Sequence, residues 1–352
     1  MRIAQVSPLF EAVPPKLYGG TERVVHSLTE ELVAMGHDVT LFASGDSITS
    51  ATLAPMRREA LRLDPTVRDW IAYYMRMVEL IYRRADEFDV IHFHIDYFPL
   101  SLFSRQRTPF LTTLHGRLDL PEFKEIYETF PRAPFVSISN SQRRPIPNLN
   151  WVRTVLHGMP ARRLTPQPVK PSYFAFLGRI SPEKGVDRAI KIAARAGVKL
   201  KIAAKVDVAD REYYESEIRP LLKQGHVEFI GEIDDSQKPA FLSGAHALLF
   251  PIDWPEPFGL VMIEAMACGT PVIAYNCGSV PEVIDHGVTG FIVPDEDSAV
   301  SAISRLSELD RAAIRRRFEQ RFTARRMAQD YLDVYEELIE EATMPRLRAV
   351  TA

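Results

Sequence analysis

Short apolar runs with β-strand character alternate with longer segments of helical periodicity along almost the whole chain of 352 residues. This alternation predicts right-handed βαβ units and a parallel sheet, because parallel strands need a crossover connection that is usually a helix. The predicted strands lie at residues 3–7, 38–44, 89–94, 110–115 and 134–139, and again at 173–177, 199–204, 227–230, 247–250, 271–274 and 290–293. We therefore expect two α/β domains, each with its own parallel sheet.

A proline-rich segment separates the two series of strands. Residues 159–171 contain four prolines and no sustained periodicity, which is typical of a linker. Residues 312–341 show no strand pattern, and their apolar residues recur at helical spacing. The sequence thus predicts a first domain at residues 1–164, a second at 165–322, and a C-terminal helix at 323–352 that crosses back to the first domain.

The composition excludes several classes of protein. Forty-three Lys and Arg against 46 Asp and Glu give a net charge of −3, without the basic excess of a nucleic-acid-binding protein. Cys268 and Cys277 are too few for a disulfide framework, and we expect both to be reduced thiols in the core. No apolar run is long enough to span a membrane, and no signal-peptide pattern opens the chain. We expect a cytoplasmic protein that binds no nucleic acid.

A glycine pair lies where the loop after the first strand leads into a helix. Gly19 and Gly20 precede Thr21, which is expected to cap that helix. Backbone N–H groups at such a turn can approach an anion closely. A turn that only caps the helix is the simpler alternative.

Three histidines lie on or near neighbouring predicted strands of the first domain. His115 ends one strand, where open α/β sheets bind their ligands, although a hydrogen-bonded structural histidine fits equally well. His92 and His94 flank one residue of another strand and so point to the same face. Without a third ligand nearby, this pair favours packing and hydrogen bonding over metal binding.

Two cations lie five residues apart in the loop after the first strand of the second domain, Arg179 and Lys184. The guanidinium can hold two phosphate oxygens, and the ammonium adds a point charge. On these residues alone, a solvated loop and an anion site are equal alternatives.

The stretch at residues 251–271 contains the largest number of candidate site residues. Glu256 lies in a loop, Gly259 lets the backbone pass close to a ligand, and a helix begins near Leu260 with free N–H groups. Glu264 lies in that apolar helix and therefore needs a partner, with capping or a buried Arg as the structural alternative. The acidic triplet at residues 295–297 is expected to cap a helix rather than bind a metal.

Several motifs together resemble a known family. They begin with Gly-Gly-Thr-Glu at residues 19–22, continue at residues 36–39, 89–92 and 115–116, and are densest from residue 176 to 293. The most specific is Glu256 followed, after seven residues, by Glu264. The chain resembles the retaining, nucleotide-sugar-dependent glycosyltransferases of family four, within the superfamily of glycogen synthase and phosphatidylinositol mannosyltransferase.

The resemblance implies an α/β protein of the GT-B fold. Its two Rossmann-like domains would have parallel sheets facing across a cleft, with C-terminal helices packing back toward the first domain. The first domain would bind the acceptor and the second the nucleotide sugar. Closing the domains would complete the site and exclude water from a donor that can be hydrolysed.

The resemblance also assigns roles to residues of the second domain. Arg179 and Lys184 would hold the donor diphosphate, Glu256 the hydroxyls of the donor sugar, and Glu264 the ribose hydroxyls. The backbone N–H groups of three further residues would contact the sugar and phosphate. These residues are Phe258, Gly259 and Leu260.

Three more site residues follow from the resemblance. His115 would reach the donor sugar from the first domain, and Gly19 and Gly20 would lie beside the diphosphate and the acceptor.

Lys205 follows a strand where many relatives have a glycine-rich turn. A contact from Lys205 to phosphate or base and an ordinary surface lysine are equal alternatives.

The implied reaction is transfer of a hexosyl unit from UDP- or GDP-hexose to an acceptor hydroxyl, with retention and without a metal. No cofactor is expected, since the nucleotide sugar is a co-substrate, and the acceptor would be a sugar, a lipid-linked molecule or a small molecule. The alternatives are a non-catalytic nucleotide-sugar-binding protein and another GT-B enzyme such as a nucleotide-sugar epimerase. Residues 97–107 could contact a membrane surface peripherally, but a helix packed on the sheet is favoured.

Overall fold

The computed structural model describes residues 1–16 and 19–343, which form two compact units. Unit 1 comprises Met1–Ile138, Pro145–Val155 and the chain from Met327 onward. Unit 2 comprises Ser139–Arg144 and Leu156–Arg326. Each unit has its own parallel sheet, so the predicted α/β fold class with two sheets is confirmed.

Unit 1 is built on a sheet of seven strands. In chain order these are β1 (Arg2–Val6), β2 (Asp38–Ser44), β3 (Thr52–Arg57), β4 (Val90–Phe93), β5 (Phe110–Thr113), β6 (Phe135–Ser137) and β7 (Trp151–Thr154). They are all parallel, in the order β3-β2-β1-β4-β5-β6-β7. The strand order reverses between β1 and β4, which is the point where open α/β sheets bind ligands in the loops that follow the strands.

Four helices of unit 1 connect these strands. They are α1 (Gly20–Ala34), α2 (Trp70–Tyr82), α3 (Leu100–Phe103) and α4 (Pro121–Glu128). The apolar spacing in α1 is explained by burial of Val24, Val25, Leu28 and Leu32. In α3, Leu100 and Phe103 are buried in the core, which agrees with the favoured packed helix.

Unit 2 is built on a sheet of six strands. They are β8 (Tyr173–Arg179), β9 (Leu200–Lys205), β10 (Val227–Gly231), β11 (Ala245–Phe250), β12 (Val272–Tyr275) and β13 (Gly290–Val293). All are parallel, in the order β10-β9-β8-β11-β12-β13. Here the strand order reverses between β8 and β11, so the loops after these two strands are brought to one place.

Helices connect the strands of unit 2 and follow the last of them. They are α5 (Val186–Ala196), α6 (Arg211–Tyr213), α7 (Arg219–Leu221), α8 (Lys238–Ser243), α9 (Leu260–Ala267), α10 (Val280–Val283), α11 (Glu296–Ile303) and α12 (Arg311–Arg321). The long final helix α13 (Ala324–Thr343) belongs to unit 1 from Met327 onward. Residues 312–341 are thus helical, as their apolar spacing predicts, and form two helices; residues 344–352 of the predicted C-terminal helix lie outside the described residues.

The sequence analysis missed two strands, β3 and β7. Both are edge strands, and their residues are mostly half-buried or exposed, so neither shows an apolar run or a clear alternation. Pro55 lies in β3, which an edge strand tolerates but a central strand does not.

In the described ranges 1–16 and 19–343, no helix has the length and apolarity to cross a membrane. The cytoplasmic location stays a prediction.

Candidate functional site

The carboxylate of Glu256 is the centre of a small polar cluster in unit 2. It lies in the loop between β11 and α9, and the residue is only 8% exposed. Its Oε2 accepts hydrogen bonds from Lys184 Nζ and, at 2.9 Å, from Trp254 Nε1. Lys184 Nζ also lies 4.9 Å from the centre of the Trp254 ring. The structure therefore joins two predicted site residues through an ion pair that spacing along the chain does not reveal.

The backbone of this loop is held by the turn that precedes α10. Ser279 donates its backbone N–H to Glu256 O at 3.0 Å and its hydroxyl to Phe258 O at 2.8 Å. Cys277 Sγ donates to Trp254 O at 2.9 Å. Cys277 is half-buried, so the expectation that both thiols lie in the core holds only for Cys268. These bonds fix the path of the loop and with it the direction of the Glu256 side chain.

Arg179 and Lys205 lie side by side at the ends of neighbouring strands. They are partners in the register of β8 and β9. Arg179 Nη2 lies 2.7 Å from Glu183 Oε1, and its Nε lies 3.3 Å from Asp210 Oδ2. Lys205 Nζ lies 3.6 Å from Asp207 Oδ2. Parallel register thus gathers positive charge at the carboxyl edge of the sheet, where carboxylates of the same unit face it.

Burial raises the pKa of Asp210, although the charge of Arg179 acts in the opposite direction. Asp210 and Arg179 therefore form a partly buried pair at the carboxyl edge of the sheet. The sequence analysis did not identify Asp210 or Glu183 as functional residues. An isolated acidic residue in a loop carries no signal until the fold shows which cation it faces.

The buried carboxylate in α9 has the partner that its surroundings require. Glu264 is 3% exposed, and its Oε1 accepts a hydrogen bond from Lys238 Nζ at 2.6 Å. Lys238 Nζ also lies 3.3 Å from Asp235 Oδ1. The partner is a lysine from α8, and not the buried Arg or the capping role that the sequence analysis gave as the structural alternative. The chain offers many cations, and only the tertiary structure selects Lys238.

The segment between the two glutamates contains a buried aromatic ring and a glycine that begins helix α9. Phe258 is 2% exposed, and its ring packs edge-on against His157 with 4.9 Å between ring centres. Gly259 adopts a positive φ of 80° and caps α9, which begins at Leu260 as predicted. Backbone N–H groups of the first turn of α9 therefore lie directly after the Glu256 loop.

The site residues predicted in the first domain lie in unit 1. His115 follows β5, and its Nε2 lies 2.8 Å from His94 Nδ1. Desolvation lowers the pKa of His115 to about 3, so the ring is neutral at pH 7. His92 and His94 make hydrogen bonds from one face of their strand, as favoured in the sequence analysis. Outside residues 17–18 and 344–352, no group of three or more His, Cys, Asp or Glu is placed to hold a metal.

Helix α1 begins at Gly20, with Gly19 before it and no side-chain hydrogen bond at the cap. The expectation that Thr21 caps this helix is wrong, because Thr21 lies inside its first turn.

The acidic triplet does cap α11, since Asp295 Oδ1 accepts from Ser298 N at 2.8 Å. Beside the glycine pair, Glu22 is 6% exposed, and desolvation raises its pKa to about 7.

Substituting Glu22→Gln is expected to change how stability depends on pH. In the folded protein the pKa of Glu22 is about 7, above its ordinary value of 4.5. Protonation of Glu22 therefore contributes stability that is fully present below pH 4.5 and is lost as the pH rises through 7. The free energy of unfolding of the variant, relative to the parent, should therefore rise by about 3 kcal/mol between pH 4.5 and pH 8. Urea unfolding at both pH values measures this, with exposed Glu79→Gln as the control. A difference that does not change with pH would contradict the buried, protonated state of Glu22.

Known proteins match both halves of the chain. The sequence model of Glycosyltransferase Family 4 matches residues 18–164, and that of Glycosyl transferases group 1 matches residues 161–324. A glycogen synthase of Mycobacterium tuberculosis is 27% identical over 384 aligned positions, covering 94% of this chain and 91% of the relative. A phosphatidyl-myo-inositol mannosyltransferase of Mycobacterium leprae is 26% identical over 355 positions, covering 90% of each chain.

Solved structures agree with the sequence matches. A crystal structure of a glycosyltransferase involved in avilamycin A biosynthesis is 25% identical, has a TM-score of 0.74, and covers 96% of this chain and 98% of the other. Its alignment includes both parallel sheets, and the two family models extend without a gap across the junction between them. The chain belongs to the family-four glycosyltransferases of the GT-B fold.

Proposed function

We propose that this glycosyltransferase moves a hexosyl unit from a nucleoside diphosphate sugar to an acceptor hydroxyl and retains the anomeric configuration. The observation that carries the proposal is the contact of Lys184 with Glu256, close to the point where the strand order of unit 2 reverses. A cation and a carboxylate at one place suit a donor that has a diphosphate next to sugar hydroxyls.

Positive side chains would hold the diphosphate. Arg179, Lys184 and Lys205 would take up the charge that develops on the nucleotide as the glycosidic bond breaks. In the structure each of them faces a carboxylate of unit 2, and the diphosphate would replace those carboxylates as the anion. Since three cations are available for this charge, we propose that transfer needs neither a divalent metal nor a cofactor.

The glutamates and the glycine-bounded helix would orient the rest of the donor. Glu256 would accept hydrogen bonds from sugar hydroxyls, and Glu264, held by Lys238, would do so from the ribose. The N–H groups of Phe258, Gly259 and Leu260 would contact the sugar and phosphate.

Residues of unit 1 would complete the contacts. His115 would contact the donor sugar, and Gly19 and Gly20 would approach the diphosphate and acceptor through their backbone. In the retaining step, the acceptor hydroxyl would attack from the face that the leaving phosphate occupies. An oxygen of that phosphate would receive the hydroxyl proton.

Substituting Arg179→Ala or Lys184→Ala should weaken the binding of a nucleoside diphosphate. Loss of one charged hydrogen bond is expected to cost about 1.5–3 kcal/mol, or about 10- to 150-fold in Kd. Calorimetry with UDP, GDP and ADP in the presence of EDTA measures these affinities and tests metal independence in the same titration. Lys191→Ala, which removes an exposed partner of Asp187, is the control and should bind as the parent does. Equal affinity of parent and both site variants would show that the diphosphate binds elsewhere.

The reaction itself is tested by incubating the diphosphate sugar that binds with candidate acceptors. We expect a product in which the anomeric proton has the configuration of the donor, as read by NMR coupling constants. Inversion would exclude the retaining step. Donor binding without transfer to any acceptor or to water would favour a non-catalytic binding protein.

A further inference from the structure

A buried chain of hydrogen bonds leads from His115 to helix α13 within unit 1. His115 Nε2 lies 2.8 Å from His94 Nδ1, and His94 Nε2 lies 2.9 Å from Gln5 Oε1. Gln5 Nε2 then donates to Tyr335 Oη at 2.9 Å. We call these four side chains the relay. It joins the loop after β5 to β1 and to the last described helix of the chain.

The far end of the relay is anchored by three more buried side chains. Tyr335 Oη lies 2.7 Å from His92 Nδ1, and His92 Nε2 lies 2.7 Å from Thr113 Oγ1. Thr113 Oγ1 lies 2.9 Å from the hydroxyl of Tyr331, one turn before Tyr335 on α13. Helix α13 therefore contributes two hydroxyls to this network.

Gln5, His94 and Tyr335 are almost completely shielded from water, with exposed fractions of 0%, 3% and 0%. A buried polar group must find its partners within the protein, since leaving it unsatisfied costs about 1–3 kcal/mol. Reversing one hydrogen bond in such a chain leaves two donors or two acceptors facing each other. The directions of the successive bonds are therefore coupled.

The direction at Gln5 determines the tautomer of His115. Because the Gln5 amide nitrogen donates to Tyr335, its Oε1 accepts, and His94 Nε2 must carry the hydrogen. A neutral His94 then has its lone pair on Nδ1 and accepts from Nε2–H of His115. In a neutral His115 that donates through Nε2, the other ring nitrogen is an acceptor.

We propose that Gln5, His94 and Tyr335 are positioning residues that hold His115 as the neutral Nε2–H tautomer, with Nδ1 as the acceptor nitrogen of its ring. That this tautomer serves the donor sugar rests on the proposed function. The tautomer itself rests on the relay alone. Helix α13 thereby acts on the site through the hydroxyl of Tyr335 and not by contact with substrate.

Tyr335→Phe tests the proposal, because it removes the acceptor of the Gln5 amide and keeps the ring. The amide is then free to turn over, so we expect His115 to populate both tautomers. Tyr331→Phe is the matched control, since it removes a buried hydroxyl from the same helix at the opposite end of the network. Gln5→Met is a second variant that removes the acceptor of His94 directly, should Tyr335→Phe fail to fold.

The first measurement is ¹⁵N NMR of the protein labelled at its nine histidines. The ring signals of His115 are assigned by their loss in His115→Asn. We expect the Nε2–H tautomer in the parent and in Tyr331→Phe, and a mixture in Tyr335→Phe and Gln5→Met. An Nδ1–H tautomer in the parent, or the same single tautomer in all four proteins, would overturn the proposal.

The second measurement separates sugar contacts from nucleotide contacts. In Tyr335→Phe, kcat/KM for the nucleotide sugar should fall by about 10-fold, the scale of one hydrogen bond, while Kd for the free nucleoside diphosphate stays that of the parent. Equal losses in Tyr335→Phe and Tyr331→Phe would indicate a purely structural effect and refute the positioning role. If the parent transfers no sugar, the proposed function fails, and the NMR result still decides whether the relay sets the tautomer.

Discussion

Glu256→Gln should lower the turnover number of hexosyl transfer by about 100- to 1,000-fold, the scale of losing one preorganised charged contact at a reacting centre. The amide keeps the size of the side chain but places no negative charge beside Lys184 and the Trp254 N–H. Donor hydroxyls would then lose the carboxylate that orients them. Steady-state kinetics at saturating donor measures the loss.

The same variant should retain its affinity for the free nucleoside diphosphate, or gain some. Lys184 no longer has a carboxylate partner in Glu256→Gln, so its full charge is available to phosphate. Glu228→Gln, which changes an exposed carboxylate paired with Lys201, is the control and should leave turnover unchanged. Parental turnover in Glu256→Gln would refute the role of this carboxylate in transfer.

Gly278→Ala should reduce transfer at least about 100-fold, because the new methyl group would displace the loop that carries Glu256, and misplacement by about 1 Å has that cost. A Cβ at Gly278 would lie 2.3 Å from Glu256 N and 2.5 Å from Glu256 O, which is inside any allowed contact distance. Both contact atoms belong to backbone, so no flexible side chain can turn away. The loop, and with it the carboxylate, must move.

A second glycine provides the control for this experiment. Gly287 has a positive φ of 78°, close to the 58° of Gly278, but a Cβ there meets no atom within 4 Å. Gly287→Ala therefore carries comparable backbone strain, about 1–3 kcal/mol, without the steric clash. Thermal unfolding should show a loss of stability in both variants, larger in Gly278→Ala because of the steric clash, and kinetics should give a large loss only for Gly278→Ala. Equal activities would show that the contact at Gly278 does not hold the loop.

Much of the fold could be predicted from periodicity because central strands are buried on both faces. The strand at residues 38–44, which is central in its sheet, was predicted with its observed bounds, and so was the edge strand at residues 290–293, whose residues are mostly buried. Two of the four edge strands, β3 and β7, escaped because their residues are mostly half-buried or exposed and show no clear apolar pattern. The glycine turn was recognised at the right place, but its capping residue was not, since Gly19 caps α1 through backbone geometry alone.

In the candidate site, too, some features could be predicted from the sequence and others could not. The motif that links Glu256 to Glu264 could be read from local sequence because its glycine, its helix start and its two carboxylates lie within nine residues. Their cations could not be paired from sequence, because Lys184 lies 72 residues from Glu256 and Lys238 lies 26 residues from Glu264. Topology brings each pair together through the reversal of strand order and the packing of α8 near α9.

The sequence by itself determined the fold class, the two parallel sheets and the family, because these depend on hydrophobic periodicity and on short motifs whose residues are neighbours along the chain. The tertiary structure alone decided which carboxylate faces which cation and which histidine binds which partner. Gln5 and Tyr335 are separated by 330 residues, and neither has any local feature that marks it. Hydrogen bonds and ion pairs form only between atoms a few ångströms apart, so their partners are set by the folded chain and not by its order.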